Sequence, residues 1–441
     1  MMLATRPAQF VRSTVPRSDV RETLRKARRL LDGQTGLIRA LYEVPCEPDA
    51  PQIFGYGCML ANTERYGVTP SGSVNGSTSA IRERAIAGAV GEAIERYSAS
   101  VVPEEELLSA PYHRVRGDAL DPRTLVLYDE VRYDRPDFPY PPFRDDMPLR
   151  WVEGYSLTRA APVLVPAFAV YLPYPLGPGE PTLMQLISTG LACGNSMEEA
   201  ILSGLCEVVE RDATMAMWLR RSSPPRLTIN APAGMLLRET LRRFSRSPYD
   251  VRLLDVTTDL GIPAIVAVAV GQSAAAPAAV FASKASLDPE HAAVGALDEL
   301  AQCLVWIRSL MAAHPPDTLP GLDAVSSIED HVMWATRPDR RDLIAFATDA
   351  PTRHLLTAMP SLATGDVSAD IRVAVGRLAE RELEVIVVDV TAPDIREAGF
   401  HVARVIVPGA QPLTFGHGME RMSARARLPE GGKNPLPHPF P

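Results

Sequence analysis

An α+β fold is predicted for this chain of 441 residues, and three observations predict it. Helical segments and short β-rich runs are interspersed along the whole length. They do not follow a strict βαβ alternation, which argues against a barrel and leaves an open α/β sheet as the other arrangement weighed. Two of the helices also share one spacing of charged residues, which points to an internal pseudo-duplication.

The elements follow in order. Residues 19–31, "DVRETLRKARRLL", read as an amphipathic helix. The Pro/Gly-rich "EVPCEPDAPQIFGYG" that follows has little periodicity. Residues 1–54 are therefore read as an N-terminal helical and extended segment, and 55–441 as the main domain. Residues 78–100 form a long helix rich in alanine and glycine, a composition that suggests close packing against another backbone. Proline and aspartate crowd 103–149, marking loops and short strands. "APVLVPAFAVYL" at 161–172 reads as a strand and 196–220 as a second long helix. The further β-rich runs are "GIPAIVAVAVG", "AAVFAS", "LEVIVVDV" and "HVARVIVP", with helices at 289–313 and 367–382 among them.

Composition narrows the function. A hydrophobic fraction of 46% and a charged fraction of 22% are ordinary for a soluble globular chain. A formal net charge of −8 argues against a nucleic-acid surface. Basic residues are nearly all arginine, with lysine at 26, 284 and 433 alone. The start "MMLATRPAQFVRSTVPRSDV" has no apolar h-region, and no apolar run is long enough to cross a bilayer. Cysteines at 46, 58, 193, 206 and 303 are scattered without CxxC spacing, which predicts neither a disulfide framework nor a zinc cluster. A cytoplasmic location is expected.

The charged pattern is the informative feature. In "GEAIERYSAS", Glu92 and Glu95 lie about 60° apart around a helix, and Arg96 sits one turn beyond Glu92. In "LCEVVERDAT", Glu207, Glu210 and Arg211 repeat that spacing. A lone pair of this kind is a surface feature worth a few tenths of a kcal/mol, about 0.3. Two copies in apolar helices are hard to explain that way, because buried carboxylates must be paired, hydrogen-bonded or bound to metal. Two arginines for four carboxylates leave charge wanting cations, and oxygen-only ligation suits Mg²⁺ or Ca²⁺. "ACGNSMEEA" places Asn195 as N-cap of the second helix and Glu199 two turns before Glu207; the alternative weighed is that Asn195 and Glu199 are a capping pair and no more. GxxxxGK[ST] and GxSxG are absent from the sequence, as is the Glu-x-x-His of di-iron bundles after Glu92 or Glu207.

With these residues in view, the chain resembles the YcaO family over roughly 55–441. The resemblance rests on "GEAIERYS", "GLACGNSMEEAILSGLCEVVERDA", "ALDELAQ", "VVDVTAPDI…HVARVIVPGAQPL" and the tail "NPLPHPFP" at 434–441. It implies a fold of mixed or antiparallel sheets with packed helices. It further implies an ATP- and Mg²⁺-dependent cyclodehydratase that turns Cys, Ser and Thr of a ribosomal precursor peptide into thiazolines and oxazolines, as in antibiotic biosynthesis. By resemblance, Glu92, Glu95, Glu207 and Glu210 hold Mg²⁺, with Glu207 and Glu210 catalytically essential. Asn195, Glu199, Ser203 and Glu299 then line the nucleotide site, and Arg96 and Arg211 either orient carboxylates or reach phosphate. The carboxylate of Pro441, on a stiff proline arm, would act as general base or hold the substrate amide. The implied partners are the precursor peptide and a separate E1-like leader-binding protein; a flavin dehydrogenase and a homodimer are further partners this reading admits. Thioamide- or amidine-forming chemistry and a catalytically weak scaffold subunit are the alternatives.

Departures from the family pattern are Gly88, where a serine is common, Val74-Asn75-Gly76 in place of Gly-Lys-Gly, and Gly295, where an arginine is frequent. They remove a hydroxyl and up to two positive charges from the nucleotide site. Serine at position 88 is expected to be tolerated and to add a donor beside the site.

Overall fold

The computed structural model describes residues 11–64, 74–230, 233–273, 276–314, 321–423, 425–428 and 434–441. The first ten residues of the predicted N-terminal segment lie outside the described residues, as do Lys433 and residues 65–73.

In chain order the elements are α1 (Val20–Ala27), β1 (Ile38–Val44), β2 (Phe54–Leu60), β3 (Val74–Ser79) and α2 (Arg82–Ser100). Then come β4 (Leu108–Pro111), α3 (Tyr112–Val115), α4 (Glu130–Tyr133), β5 (Pro148–Ser156), β6 (Ala161–Pro166), β7 (Leu191–Gly194) and α5 (Met197–Leu219). Next are β8 (Arg226–Thr228), α6 (Met235–Phe244), β9 (Tyr249–Asp255), β10 (Ala264–Gly271), β11 (Ala279–Ala285) and α7 (Pro289–Ala313). The chain closes with α8 (Ile328–Thr336), α9 (Arg341–Thr348), β12 (Arg353–Leu355), α10 (Val367–Ala379), β13 (Ile386–Asp389), α11 (Pro393–Ala398) and β14 (His401–Ile406).

The strands form three sheets, ordered β1-β2-β3, β11-β10-β9-β8-β12 and β4-β5-β13-β14-β7, with β6 also paired to β5. Pairing is antiparallel apart from β8 with β12. The predicted α+β class holds. The 54/55 boundary falls at the first residue of β2, whose pairing with β1 runs across it.

Strand β10, "AIVAVAVG", shows why its apolar run is continuous. Ile265, Ala267 and Ala269 pack with Ala292, Ala293, Ala296 and Leu297 of α7, while Val266 and Val268 pack into the core that holds α5. Successive side chains point to opposite faces, so covering both faces demands apolar residues throughout. The third sheet is covered likewise: Ile386, Val388 and Val402 share a core with α2, and Val387, Ala403 and Val405 share one with α5. Helix α5 thus lies between two sheets and is buried on nearly all sides. Its Gly204 lets it press on the chain at Gly190, since an added Cβ would stand 2.6 Å from the Gly190 carbonyl oxygen.

Several element bounds differ from expectation. The first helix ends at Ala27, and Leu31 instead bridges to Ile38. Residues 78–79 belong to β3, and helix begins at Arg82. β6 stops at Pro166 and passes into a short 3₁₀ turn, Ala167–Ala169. The N-cap of α5 is Ser196, whose side chain accepts from the Glu199 N–H, so Asn195 stands one residue outside.

The proline tail is docked in extended form. Asn434 N–H donates to the Leu219 carbonyl at 2.8 Å, and Trp218 Nε1–H donates to the Leu436 carbonyl at 2.9 Å. Phe440 is fully buried, edge-on to Trp218 and Phe281. Four prolines, Pro435, Pro437, Pro439 and Pro441, have no N–H donors and favour this stiff course over helix or strand.

Candidate active site

Each helix bearing the repeated triplet leaves a strand, α2 after β3 and α5 after β7. Glu92 is fixed from both sides: Gly76 N–H of β3 donates to Oε2 at 2.7 Å, and Arg96 Nη2 donates to Oε1 at 2.9 Å. Glu207 Oε2 accepts from Gly190 N–H at 3.3 Å. Glu210 is 1% exposed and accepts from the Ser283 hydroxyl of β11 at 2.8 Å. Arg211 stands 3.8 Å from Glu207, 3.9 Å from Glu210 and 4.0 Å from Glu299 of α7. Its Nη1 donates to the main-chain oxygen of Pro441 at 2.9 Å.

The electrostatics are those of a site short of cations. Burial, then Glu207 and Glu92, raise Glu95 well above the usual carboxylate range. Burial also raises Glu207, with Arg211 opposing and Glu210 adding. Glu299 is pushed up to about 7 by burial and by Glu210. Crowded carboxylates of this kind hold a proton unless positive charge arrives. A divalent cation with oxygen ligands would supply it, so the donor set fits Mg²⁺. Among the described residues, no three His, Cys, Asp or Glu side chains form a ready-made metal cluster. Glu92, Glu207 and Glu210 are tied instead to separate N–H and O–H donors.

Beside this cluster opens a cavity of about 730 Å³ lined by Asn195, Glu199, Ser203, Lys284, Gly295 and Asp298, with Arg17 and Arg84 also on its wall. That volume suits a small-molecule ligand. Glu199 accepts from Ser18 N–H at 2.6 Å and Asn195 N–H at 3.0 Å. Asn195 Nδ2 donates to Thr23 Oγ1 at 2.8 Å, which leaves its buried Oδ1 without a partner. Asp298 Oδ1 is buried and unpartnered too, and burial pushes its carboxyl up to about 7. Orphaned acceptors in a cavity wall call for donors from a ligand.

The predicted residues therefore fall into two adjoining groups. Asn195, Glu199 and Ser203 share the cavity. Glu207, Glu210, Arg211 and Glu299 share the charge cluster, with Glu95 near enough to Glu207 for their charges to interact. Arg96 is folded onto its own Glu92 and is not part of the cavity wall.

At Gly88 the expectation of a tolerated serine is overturned. An added Cβ would lie 2.7 Å from Ser77 Cβ, so the β3 side chain already occupies that space. The hydroxyl missing from the helix is present on the strand. Asn75, beside it on β3, is buried with Oδ1 and Nδ2 both unpartnered.

Two contributors escaped the sequence reading. Arg404 of β14 is buried, donating to the Ala169 carbonyl at 3.0 Å and the Ile187 carbonyl at 2.9 Å. Burial lowers it to about 10, while Glu207 and Glu95 favour its charge. Its signal was an arginine inside the apolar run "HVARVIVP". Lys284 stands 3.7 Å from Glu210, and its signal was the rarity of lysine in this chain.

The family described as YcaO cyclodehydratase, ATP- and Mg²⁺-binding, matches residues 77–411. An uncharacterized protein of Methanothermobacter thermautotrophicus is 32% identical over 366 residues, covering 80% of this chain and 85% of that protein. Among solved structures, a heterocyclase in complex with substrate and cofactor superposes with a TM-score of 0.78 at 23% identity, covering 97% of this chain and 59% of that one. A YcaO protein from Methanopyrus kandleri bound with AMPPCP and Mg²⁺ superposes with a TM-score of 0.64 at 25% identity, covering 89% and 91%. This chain thus spans just under three fifths of the heterocyclase's length.

Proposed function

From the premise that the chain belongs to the YcaO family, an ATP- and Mg²⁺-binding family, we propose that it is an azoline-forming cyclodehydratase acting on a ribosomal precursor peptide. The observation that carries the reading is the docked tail at the triplet of α5, with the main-chain oxygen of Pro441 on Arg211 at 2.9 Å. A catalytically idle scaffold would gain nothing from a stiff arm delivered to its most crowded carboxylates.

In the proposed reaction, a Cys, Ser or Thr side chain of the substrate attacks the preceding carbonyl carbon and gives up its proton. The resulting oxyanion takes the γ-phosphoryl group of ATP, and ADP leaves. Loss of the amide proton and of phosphate then forms the ring C=N bond. Glu92, Glu95, Glu207 and Glu210 would hold Mg²⁺, which neutralises the triphosphate and the charge developed in transfer. Asn195, Glu199 and Ser203 would position the nucleotide in the cavity. Arg211, set among Glu207, Glu210 and Glu299, would orient the carboxylates and fix the end of the tail. A carboxylate at Pro441 would then lie where a substrate amide proton can be taken. An E1-like leader-binding protein would present the peptide.

The test is reconstitution with a Cys-, Ser- and Thr-containing precursor and the leader-binding partner. Ring formation should appear in mass spectra as loss of one water per ring, together with ADP release. Extending the chain by one residue beyond Pro441 should suppress ring formation far more than binding of a non-hydrolysable ATP analogue. Rings formed at the unextended rate would refute the role of the tail. With sulfide supplied, replacement of an amide oxygen by sulfur, with no ring formed, would favour thioamide chemistry.

A further inference from the structure

We propose that Lys284 is a phosphate-contacting cation of the nucleotide cavity and that Gly295 is the gap that admits it; this rests on the ATP reading above. In β11, Ala282 belongs to the core shared with α7, so Lys284, two residues on, points to the same helix. There α7 carries no side chain at Gly295. An added Cβ would stand 2.6 Å from Lys284 Cγ and 3.2 Å from both its Cβ and Cδ. The lysine stem therefore lies across bare helix backbone at Gly295.

Its ammonium ends 3.7 Å from Glu210 Oε2, within charge contact but beyond hydrogen-bond length. Among the described residues no hydrogen bond uses its three donors, and 43% of its side-chain surface is accessible. It lines the cavity that holds Asn195, Glu199 and Ser203. A compact ammonium on a flexible stem, with donors to spare, is suited to phosphate oxygens. It joins the carboxylate cluster to the cavity, the junction at which a triphosphate would meet the carboxylate-held cation. The remaining cations on the cavity wall, Arg17 and Arg84, come from the segment before α1 and from α2 respectively.

The experiment is calorimetric titration of the full chain with AMP and with a non-hydrolysable ATP analogue, both in excess Mg²⁺. Lys284→Met keeps the stem and removes the charge. The triphosphate should bind about tenfold more weakly or worse, as loss of a charge-assisted hydrogen bond predicts, and AMP within about threefold. Lys284→Ala combined with Gly295→Arg, a cation returned from the helix into the vacated space, should recover the triphosphate preference. Gly295→Arg alone, with Lys284 still in that space, should lower stability through overpacking and should not strengthen triphosphate binding. If Lys284→Met unfolds, Lys284→Arg carries the test, and a retained preference supports the assignment. Triphosphate affinity unchanged in folded Lys284→Met, or no recovery in the double variant, would overturn it while leaving the ATP reading intact. Failure of the unaltered protein to bind the analogue would remove both.

Discussion

In α2 the arginine of the repeated triplet closes on its own glutamate; in α5 it does not. Arg96 lies 2.9 Å from Glu92 with 42% of its side chain exposed. Arg211 is 13% exposed and stays 3.8–4.0 Å from three carboxylates, spending a hydrogen bond on Pro441. The spacing is identical, so spacing explains none of this. The difference comes from what covers each helix. α2 contacts β2, β3 and β7 and keeps a partly solvated edge, whereas α5 is enclosed by two sheets and the docked tail. The same three residues make a part-exposed ion pair in one place and a buried electrostatic hub in the other.

The largest effects should come from the hub. Glu207→Gln or Glu210→Gln preserves shape and removes one charge, and should lower ring formation by orders of magnitude, about 100-fold or more, in a folded protein. Yield by mass spectrometry within a few-fold of the unaltered chain would break the metal assignment. Next, Arg211→Lys should cost far more activity than Arg96→Lys, since a lysine cannot span three carboxylates and a main-chain oxygen at once. Parallel steady-state kinetics on the two variants would show it; equal losses would mean that the two triplets do the same work.

Smaller effects sharpen the contrast. Gly88→Ser sets a new Cβ against Ser77 and should lower stability by about 1–3 kcal/mol through overpacking, read by denaturant unfolding. The equivalent position in α5, Ser203, opens onto the cavity and should accept alanine with little change in stability. The smallest effect concerns the first turn of α5. Glu198 is 3% exposed and receives the Arg12 guanidinium at 2.9 Å. Burial pushes its carboxyl up, but the side-chain and backbone hydrogen bonds from Arg12 outweigh this and hold it down to about 2, against an ordinary 4.5. A lowered carboxyl stabilises the folded arrangement fully above its unfolded value and loses that contribution as pH falls. Proteolysis of the segment ahead of α1 should therefore increase as pH drops from about 4.5 to about 2. Glu198→Gln should flatten that profile.

Much of this was legible because it is local. The bounds of α7 follow from Asp288 as N-cap before Pro289, and the repeated triplets needed nothing beyond helical spacing. The N-cap of α5 was legible and misread: Ser196 with Glu199 three residues later is a capping-box pattern, and the more polar Asn195 drew attention away from it. What could not be read was which distant residue fills a gap. Ser77 at Gly88 and Lys284 at Gly295 are meetings of a strand with a helix, and the tail reaches Arg211 across 230 positions. Neither Gly88 nor Gly295 says in the sequence what comes close to it.

Cys193 and Cys206 share the cavity wall with Asn195 and Glu199. Burial first, then Glu95 and Glu199, hold the Cys193 thiol far above its ordinary range. Burial pushes Cys206 up to about 12, with Lys284 opposing and Glu210 adding. Thiolate, not thiol, is the nucleophile, so at neutral pH these sulfurs stay inert. Burial, more than the neighbouring carboxylates, silences the pocket's own cysteines. Alkylating reagents should pass them by.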